Sequence, residues 1–174
     1  VIYPGSFTPP HRGHIEVVQK CVSMSERMLI VKSSKSRHAS DGREVTNETS
    51  IKLFKYLLRS LALEGKVEIK PCETDSPVQD VYRYLGESVP AGTRVLIVCG
   101  NKAKDAERYS AVSKYVKQGV QVEILNVEPI MEASLGVLSS TKMRDAIGDI
   151  TELRKYLPKE VQEVLNLQEV NFQG

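Results

Sequence analysis

The stretch Gly5-Ser6-Phe7-Thr8-Pro9-Pro10-His11-Arg12-Gly13-His14 concentrates side chains able to do chemistry. His11 and His14 are three residues apart, so on a helix they share one face. Gly13 between them costs about 1 kcal/mol of helix propensity relative to alanine, which makes sense if something must approach the backbone closely there. Gly5 permits a tight backbone path. Pro9-Pro10 stiffens the segment and sets up a helix entry. Free N–H groups and the dipole at a helix start favour an anion, so phosphate contact is the chemistry the segment suits. Two surface histidines after a turn, or a pair of metal ligands, are the competing readings. Structural zinc wants four ligands, and His38 is the one other histidine in the chain.

Leu138-Ser139-Ser140-Thr141-Lys142-Met143-Arg144 is a second such stretch. Ser139, Ser140 and Thr141 offer hydroxyls and backbone N–H groups to phosphate oxygens. Arg144 lies one turn further on and carries a planar fork that takes two phosphate oxygens together. Lys32, Lys35, Arg37 and His38 crowd one polar segment, read either as a solvated basic loop or as phosphate contact. Gly100-Asn101-Lys102, with Asp105 and Arg108, follows the most apolar run in the chain. Ser76-Pro77-Val78-Gln79-Asp80 reads foremost as a plain helix start. Cys21, Cys72 and Cys99 are odd in number and far apart, which suggests neither a disulfide framework nor a zinc knuckle. They read as small buried hydrophobes in a reducing compartment, the cytoplasm.

These residues need elements to hold them. Val1 to Tyr3 reads as the end of a buried strand, so a few residues are expected to precede Val1. A helix is expected over about Arg12 to Met24, with Ile15, Val18 and Val22 on one face. Met28 to Lys32 reads as a second strand, Ser33 to Val45 as a long polar loop, and Thr46 or Asn47 as the cap of the next helix. That helix presents Ile51, Phe54, Leu57, Leu58 and Leu61. Val67 to Ile69 gives a third strand, and Pro77 opens a helix whose face is Val78, Val81, Tyr82 and Leu85. Val95 to Cys99 is the fourth strand, followed by a helix from about Ala103 to Val116 and a fifth strand from Val120 to Leu125. Ser139 or Ser140 opens a short helix through Ile147. Thr151 to Leu167 reads as helical, broken at Pro158. Strands that are continuous apolar runs, alternating with helices, predict an α/β fold. The expectation is a Rossmann-like, doubly wound, mostly parallel five-stranded sheet with helices on both faces. Residues 1–168 are expected to form a single domain. Residues 169–174 read as a tail, whose Phe172-Gln173-Gly174 end resembles a protease-site remnant.

The chain has 174 residues, 41% of them hydrophobic and 26% charged, and a net charge of +2. Such values exclude a disordered or collagen-like chain. They argue against a nucleic-acid coat, which needs a basic stripe, while leaving room for a local phosphate site. No apolar run approaches the roughly 20 residues of a membrane span, and no signal-peptide pattern opens the chain. The lack of a Gly-x-Gly-x-x-Gly after the first strand disfavours a dinucleotide oxidoreductase.

Gly-Ser-Phe-x-Pro-Pro-His-x-Gly-His, as it stands at Gly5 to His14, strongly resembles the (His/Thr)-x-Gly-His signature of the nucleotidylyltransferase superfamily. Its form is most similar to the adenylyltransferases of nicotinamide mononucleotide type. Ser139 to Arg144 resembles the superfamily's Ile-Ser-Ser-Thr-x-x-Arg motif, in the expected order along the chain. A phosphopantetheine-type acceptor is also open, since the length fits, although that branch usually has Thr at the place of His11. The resemblance implies transfer of a nucleotidyl group from a nucleoside triphosphate, with pyrophosphate leaving and no protein nucleophile. It gives His14 the α-phosphate, His11 the triphosphate, and Arg144 with Ser139 to Thr141 the leaving group. It adds Lys35 and Arg37 as phosphate contacts, and Gly100, Asn101, Lys102, Asp105 and Arg108 as the turn that holds the nucleoside. There this chain departs from the Gly-Ser-Asp form of the nicotinamide mononucleotide enzymes. Magnesium on phosphate oxygens is the implied cofactor, with no side-chain metal ligands assigned. A phosphorylated small molecule is the implied acceptor; homo-oligomerisation stays open. A cytidylyltransferase of the same superfamily and a nucleotide-binding module without turnover are the alternatives.

Overall fold

The computed structural model describes residues 1–100, 107–128, 130–132 and 134–161. They divide into two units, each assembled from separate chain segments. The first comprises Val1–Ser6, Cys21–Ser34 and Val67–Pro129; the second comprises Phe7–Lys20, Lys35–Lys66 and the chain from Ile130 on.

The first unit is built on a five-stranded sheet. Strands β1 (Ile2–Gly5) and β2 (Met28–Lys32) pair in parallel, Ile2 opposite Leu29 and Gly5 opposite Lys32. The remaining strands come later in the chain and are named after the two short strands of the second unit, β3 (Arg37–His38) and β4 (Glu44–Val45). They are β5 (Val67–Pro71), β6 (Arg94–Gly100) and β7 (Gln121–Val127), and every pairing among the five is parallel. All five residues of β2 are buried, as its unbroken Met-Leu-Ile-Val run requires of a strand covered on both faces. The order β5-β2-β1-β6-β7 reverses direction between β1 and β6, which is the α/β Rossmann-like arrangement. Chain reversals of this kind open a crevice beyond the carboxyl ends of the strands.

Helix Pro77–Glu87 belongs to this unit. Ser76 caps it by accepting from the Gln79 N–H, and Pro77 fills the first turn. Its Val81 and Leu85 pack with Ile2, Leu29, Val31, Ile97 and Cys99 in one cluster. All three cysteines are buried free thiols. The helix expected from Ala103 to Val116 is not continuous. Residues 109–111 form a turn and Val112–Lys114 a single 3-10 turn, which brings Tyr109 and Val112 into the core cluster.

Helix α1 (Arg12–Cys21), which lies in the second unit up to Lys20, ends three residues short of the expected Met24, where residues 22–26 turn instead. Helix α2 (Asn47–Ser60) is capped by Thr46, which accepts from the Thr49 N–H. Its buried face is Ser50, Leu53, Phe54, Leu57 and Leu58. That i, i+3, i+4, i+7, i+8 stripe is rotated from the expected one, so that Ile51 and Leu61 lie at its margins. Counting the helix Pro77–Glu87 as α3, α4 is Ser140–Asp145 and α5 Ile150–Arg154. Of the segment expected to be helical from Thr151 to Leu167 and broken at Pro158, Ile150–Arg154 is helical and Lys159–Val161 forms a 3-10 turn, with Pro158 between them; residues beyond 161 lie outside the described ones. The polar segment Ser33 to Val45 is not featureless. Arg37 pairs with Val45 and His38 with Glu44 in an antiparallel hairpin. A second hairpin, β8 (Met131–Glu132) with β9 (Gly136–Val137), precedes α4.

Candidate active site

The start of α1 is held by its two histidines. The Nδ1 of His11 accepts from the backbone N–H of Gly13 at 3.0 Å. The Nδ1 of His14 accepts from the backbone N–H of His11 at 3.1 Å. His11 is thus the N-cap and His14 the third helical residue, and they satisfy orphan helix donors reciprocally, as Ser and Glu do in a capping box. Spacing three fits both a shared face and this reciprocal cap. The rings stack, with centroids 3.7 Å apart. Gly13 completes the arrangement: a Cβ there would sit 2.8 Å from His11 Cε1 and 2.9 Å from its Nδ1. What approaches the Gly13 backbone in this structure is the His11 ring.

Occupied Nδ1 acceptors fix the tautomer. A neutral imidazole that accepts at Nδ1 carries its proton on Nε2. Burial, with Arg12 nearby, pushes the His11 pKa down to about 4. Burial and the His11 neighbour hold His14 well below the ordinary histidine value. Both rings are therefore neutral donors at pH 7.

Phe7 orients the pair. It is buried, with φ +49°, a left-handed backbone that costs a non-glycine residue on the order of 1–3 kcal/mol. Its ring meets His14 edge-on at 4.8 Å and Phe54 of α2 at 5.4 Å.

The second motif closes on the first. Ser140 Oγ donates to the Pro9 carbonyl at 2.8 Å, and Arg144 Nη1 to the Thr8 carbonyl at 2.8 Å. Arg144 Nη2 donates to Thr141 Oγ1 at 3.2 Å, and its Nε to the His38 carbonyl at 3.3 Å. Among the described residues, three of the five guanidinium N–H groups are thereby used, leaving one on each terminal nitrogen. Ser139 Oγ caps α4 by accepting from the Lys142 N–H. Lys142 Nζ in turn donates to the Leu135 carbonyl before β9 and the Val137 carbonyl within it. Burial and the charge of Arg37 lower the Arg144 pKa, against the opposing pull of Asp145. Two cations thus press on one place, the potential an anion would relieve.

Phe7, Thr8, His11, Gly13, His14, Ser140, Thr141 and Arg144 form one contact network in the second unit, with Ser139 capping α4 beside them. Lys35 and Arg37 are exposed residues of the same unit. Gly5 and Ser6 belong to the sheet unit, where the Gly5 carbonyl accepts from Ser33 N–H at 2.9 Å. Gly100 ends β6 and Arg108 follows later in that unit, its carbonyl accepting from Tyr82 Oη. Asn101, Lys102 and Asp105 lie outside the described residues. The sequence reading missed Thr8 and Pro9 as carbonyl anchors, and it missed Ser40, Lys142 and Asp145. Such contacts span up to 136 residues and leave no local periodicity. No group of three or more His, Cys, Asp or Glu is placed to hold a metal ion among the described residues. No helix among them is long and apolar enough to cross a membrane.

A parallel Rossmann-like sheet and a histidine-capped helix start tied to a Ser-Ser-Thr-x-x-Arg helix define the class as nucleotidyltransferase. The sequence profile of the cytidylyltransferase-like family matches residues 2–146, and the chain belongs to that family. The fold recurs in Plasmodium falciparum nicotinic acid mononucleotide adenylyltransferase complexed with APC. The two are 15% identical, with a TM-score of 0.51 over 99% of this chain and 96% of that one. The same enzyme complexed with NaAD aligns at 15% identity and TM-score 0.49, over 99% and 97%. NadR protein in complex with NR is 19% identical, with TM-score 0.51 over 73% of this chain and 37% of that one. No curated protein matches the chain.

Proposed function

We propose that the chain transfers an adenylyl group from ATP to a phosphorylated small-molecule acceptor. The observation that carries this reading is the pair of Nδ1-anchored histidines, whose Nε2–H groups are neutral donors fixed at a helix start. In the reaction, an acceptor phosphate oxygen attacks the α-phosphorus. The bond from that phosphorus to the oxygen bridging toward the β-phosphorus breaks, and pyrophosphate leaves. No proton has to pass through a protein nucleophile; positioning and charge stabilisation suffice. His14 and His11 donate from Nε2 to phosphate oxygens, His14 to those that gain charge as the α-phosphorus becomes five-coordinate. Arg144 brings its two uncommitted N–H groups to the departing pyrophosphate, with Arg37 and Lys35 adding positive potential. Ser139, Ser140 and Thr141 act chiefly by holding α4, Arg144 and the loop together. Gly100 and Arg108, with Asn101, Lys102 and Asp105, are assigned to the nucleoside.

A magnesium ion would be held chiefly by triphosphate oxygens and would supply charge neutralisation there; no side-chain ligand is assigned to it. The Pro-Pro-His form and the structural likeness to a nicotinic acid mononucleotide adenylyltransferase make a pyridine mononucleotide the first acceptor to try. The test is pyrophosphate release across four nucleoside triphosphates and a panel of phosphorylated acceptors. Release with ATP and one acceptor is the expected result. Release with CTP alone replaces the adenylyl reading by the cytidylyl one, which the family's name favours. Tight nucleotide binding with no release on any acceptor replaces catalysis by a binding module.

A further inference from the structure

The β3–β4 hairpin is docked on the end of α4 at three points, none of which the reaction above uses. Asp145 Oδ1 accepts from the Ser40 backbone N–H at 2.7 Å, and Oδ2 from Ser40 Oγ at 2.9 Å. Arg144 Nε reaches the His38 carbonyl one residue beyond β3's Arg37. Arg43, ion-paired with Asp41, lies over Gly148; a Cβ there would fall 2.9 Å from Arg43 Nη2 and 3.1 Å from Nη1. The hairpin itself is short: two residue pairs, closed by Ala39 N–H to the Arg43 carbonyl and Gly42 N–H to the Ala39 carbonyl. Two pairs make a ribbon too small to hold its place unaided. Its first strand carries Arg37, paired with Val45, and the Arg37 charge opposes that of Arg144.

We propose that Asp145 is a positioning residue: by binding both polar groups of Ser40 it holds the hairpin on α4 and keeps Arg37 beside Arg144, facing the pyrophosphate tail. The assignment rests on the functional reading above. Asp145 touches no substrate; it acts through Ser40 and Arg37. Its carboxylate also offsets part of the repulsion between the two arginines, so docking and charge work in one direction.

The test pairs a docking readout with a binding readout. Amide exchange at Ser40 reports docking without any ligand, and calorimetric titration with inorganic pyrophosphate reports the anion site. Asp145→Ala is expected to release Ser40 protection and weaken pyrophosphate about tenfold, the worth of one charge-assisted hydrogen bond. KM for ATP should rise similarly while kcat stays within about twofold. Asp145→Asn can accept from the Ser40 N–H and donate to its Oγ but carries no charge, so it should restore protection in full and affinity in part. In an Arg37→Ala background, Asp145→Ala should add little. An Asp145→Ala protein that loses Ser40 protection yet binds pyrophosphate normally overturns the proposal. So does an Asp145→Ala effect that persists at full size without Arg37. Wild-type protein that protects Ser40 but binds neither pyrophosphate nor any nucleotide overturns the functional reading, and the positioning role with it.

Discussion

His11 carries a structural duty that alanine scanning alone would confuse with chemistry. As N-cap it supplies an acceptor to Gly13, and loss of a helix N-cap typically costs about 1 kcal/mol. Thr is also a good cap and is the family's alternative at this place. His11→Thr is therefore expected to melt near wild type, whereas His11→Ala loses about 1 kcal/mol by denaturant titration. His14→Ala removes the Nε2–H together with the acceptor for the His11 N–H. It should lose about 1 kcal/mol of stability and lower kcat about 10²–10³-fold, the usual loss when one donor to developing charge is deleted. Both rings must stay neutral, and the sign of the pH dependence follows. From 6.5, the ordinary value, down to about 4, the unfolded chain binds a proton at His11 that the folded chain refuses. Stability then falls as pH falls through that window, by up to about 1.4 kcal/mol per unit for each such histidine. Unfolding titrations at pH 7, 6, 5 and 4.5 should show this slope, and His11→Thr should flatten it. An unchanged slope in that variant places the acid sensitivity elsewhere.

Helix α4 is six residues long, yet most of its polar side chains hold another segment. Ser140 and Arg144 hold the loop after β1, Lys142 the β8–β9 hairpin, and Asp145 the β3–β4 hairpin. So short a helix is marginal in isolation; buried Met143 and these contacts fix it. Arg144→Lys keeps the charge but cannot reach Thr8, Thr141 and His38 in one plane. It is expected to weaken ATP at least about tenfold, as loss of one charge-assisted bond would, and to lower the melting temperature. A wild-type melting curve and KM would remove Arg144 from both tasks. The two motifs were legible because each is local: a glycine, a proline pair and a histidine spacing; three hydroxyls before an arginine. Their roles were less legible. The Ser-Ser-Thr hydroxyls read as phosphate ligands; in their protein contacts Ser139 caps the helix, Ser140 binds Pro9 and Thr141 accepts from Arg144, and the distant Ser140 tie left no local signal. The two-residue strands at 37–38 and 44–45 were illegible because two residues are too few to show a hydrophobic period, even though Val45 is buried.

At the scale of the whole chain, the five parallel strands were legible from their apolar runs, since a strand buried on both faces needs no alternation. The partition into two units was not. It depends on contacts between distant segments, and the chain passes from one unit to the other five times, after Ser6, Lys20, Ser34, Lys66 and Pro129. Neither unit is a continuous fragment. Residues 1–66 and 67–174 made separately are expected to lack cooperative unfolding by circular dichroism, and a sharp thermal transition in either would show that a single segment suffices. The tie between Thr8 and Arg144 sets a clock on biosynthesis. Ribosomes add about 5–20 residues per second, so the 136 residues from Thr8 to Arg144 take roughly 7–27 s to emerge. Through that interval the nascent histidine loop has no Arg144 to grip the Thr8 carbonyl, and a ribosome stalled before Ser140 is added leaves a chain whose first motif is complete in sequence and unassembled in space.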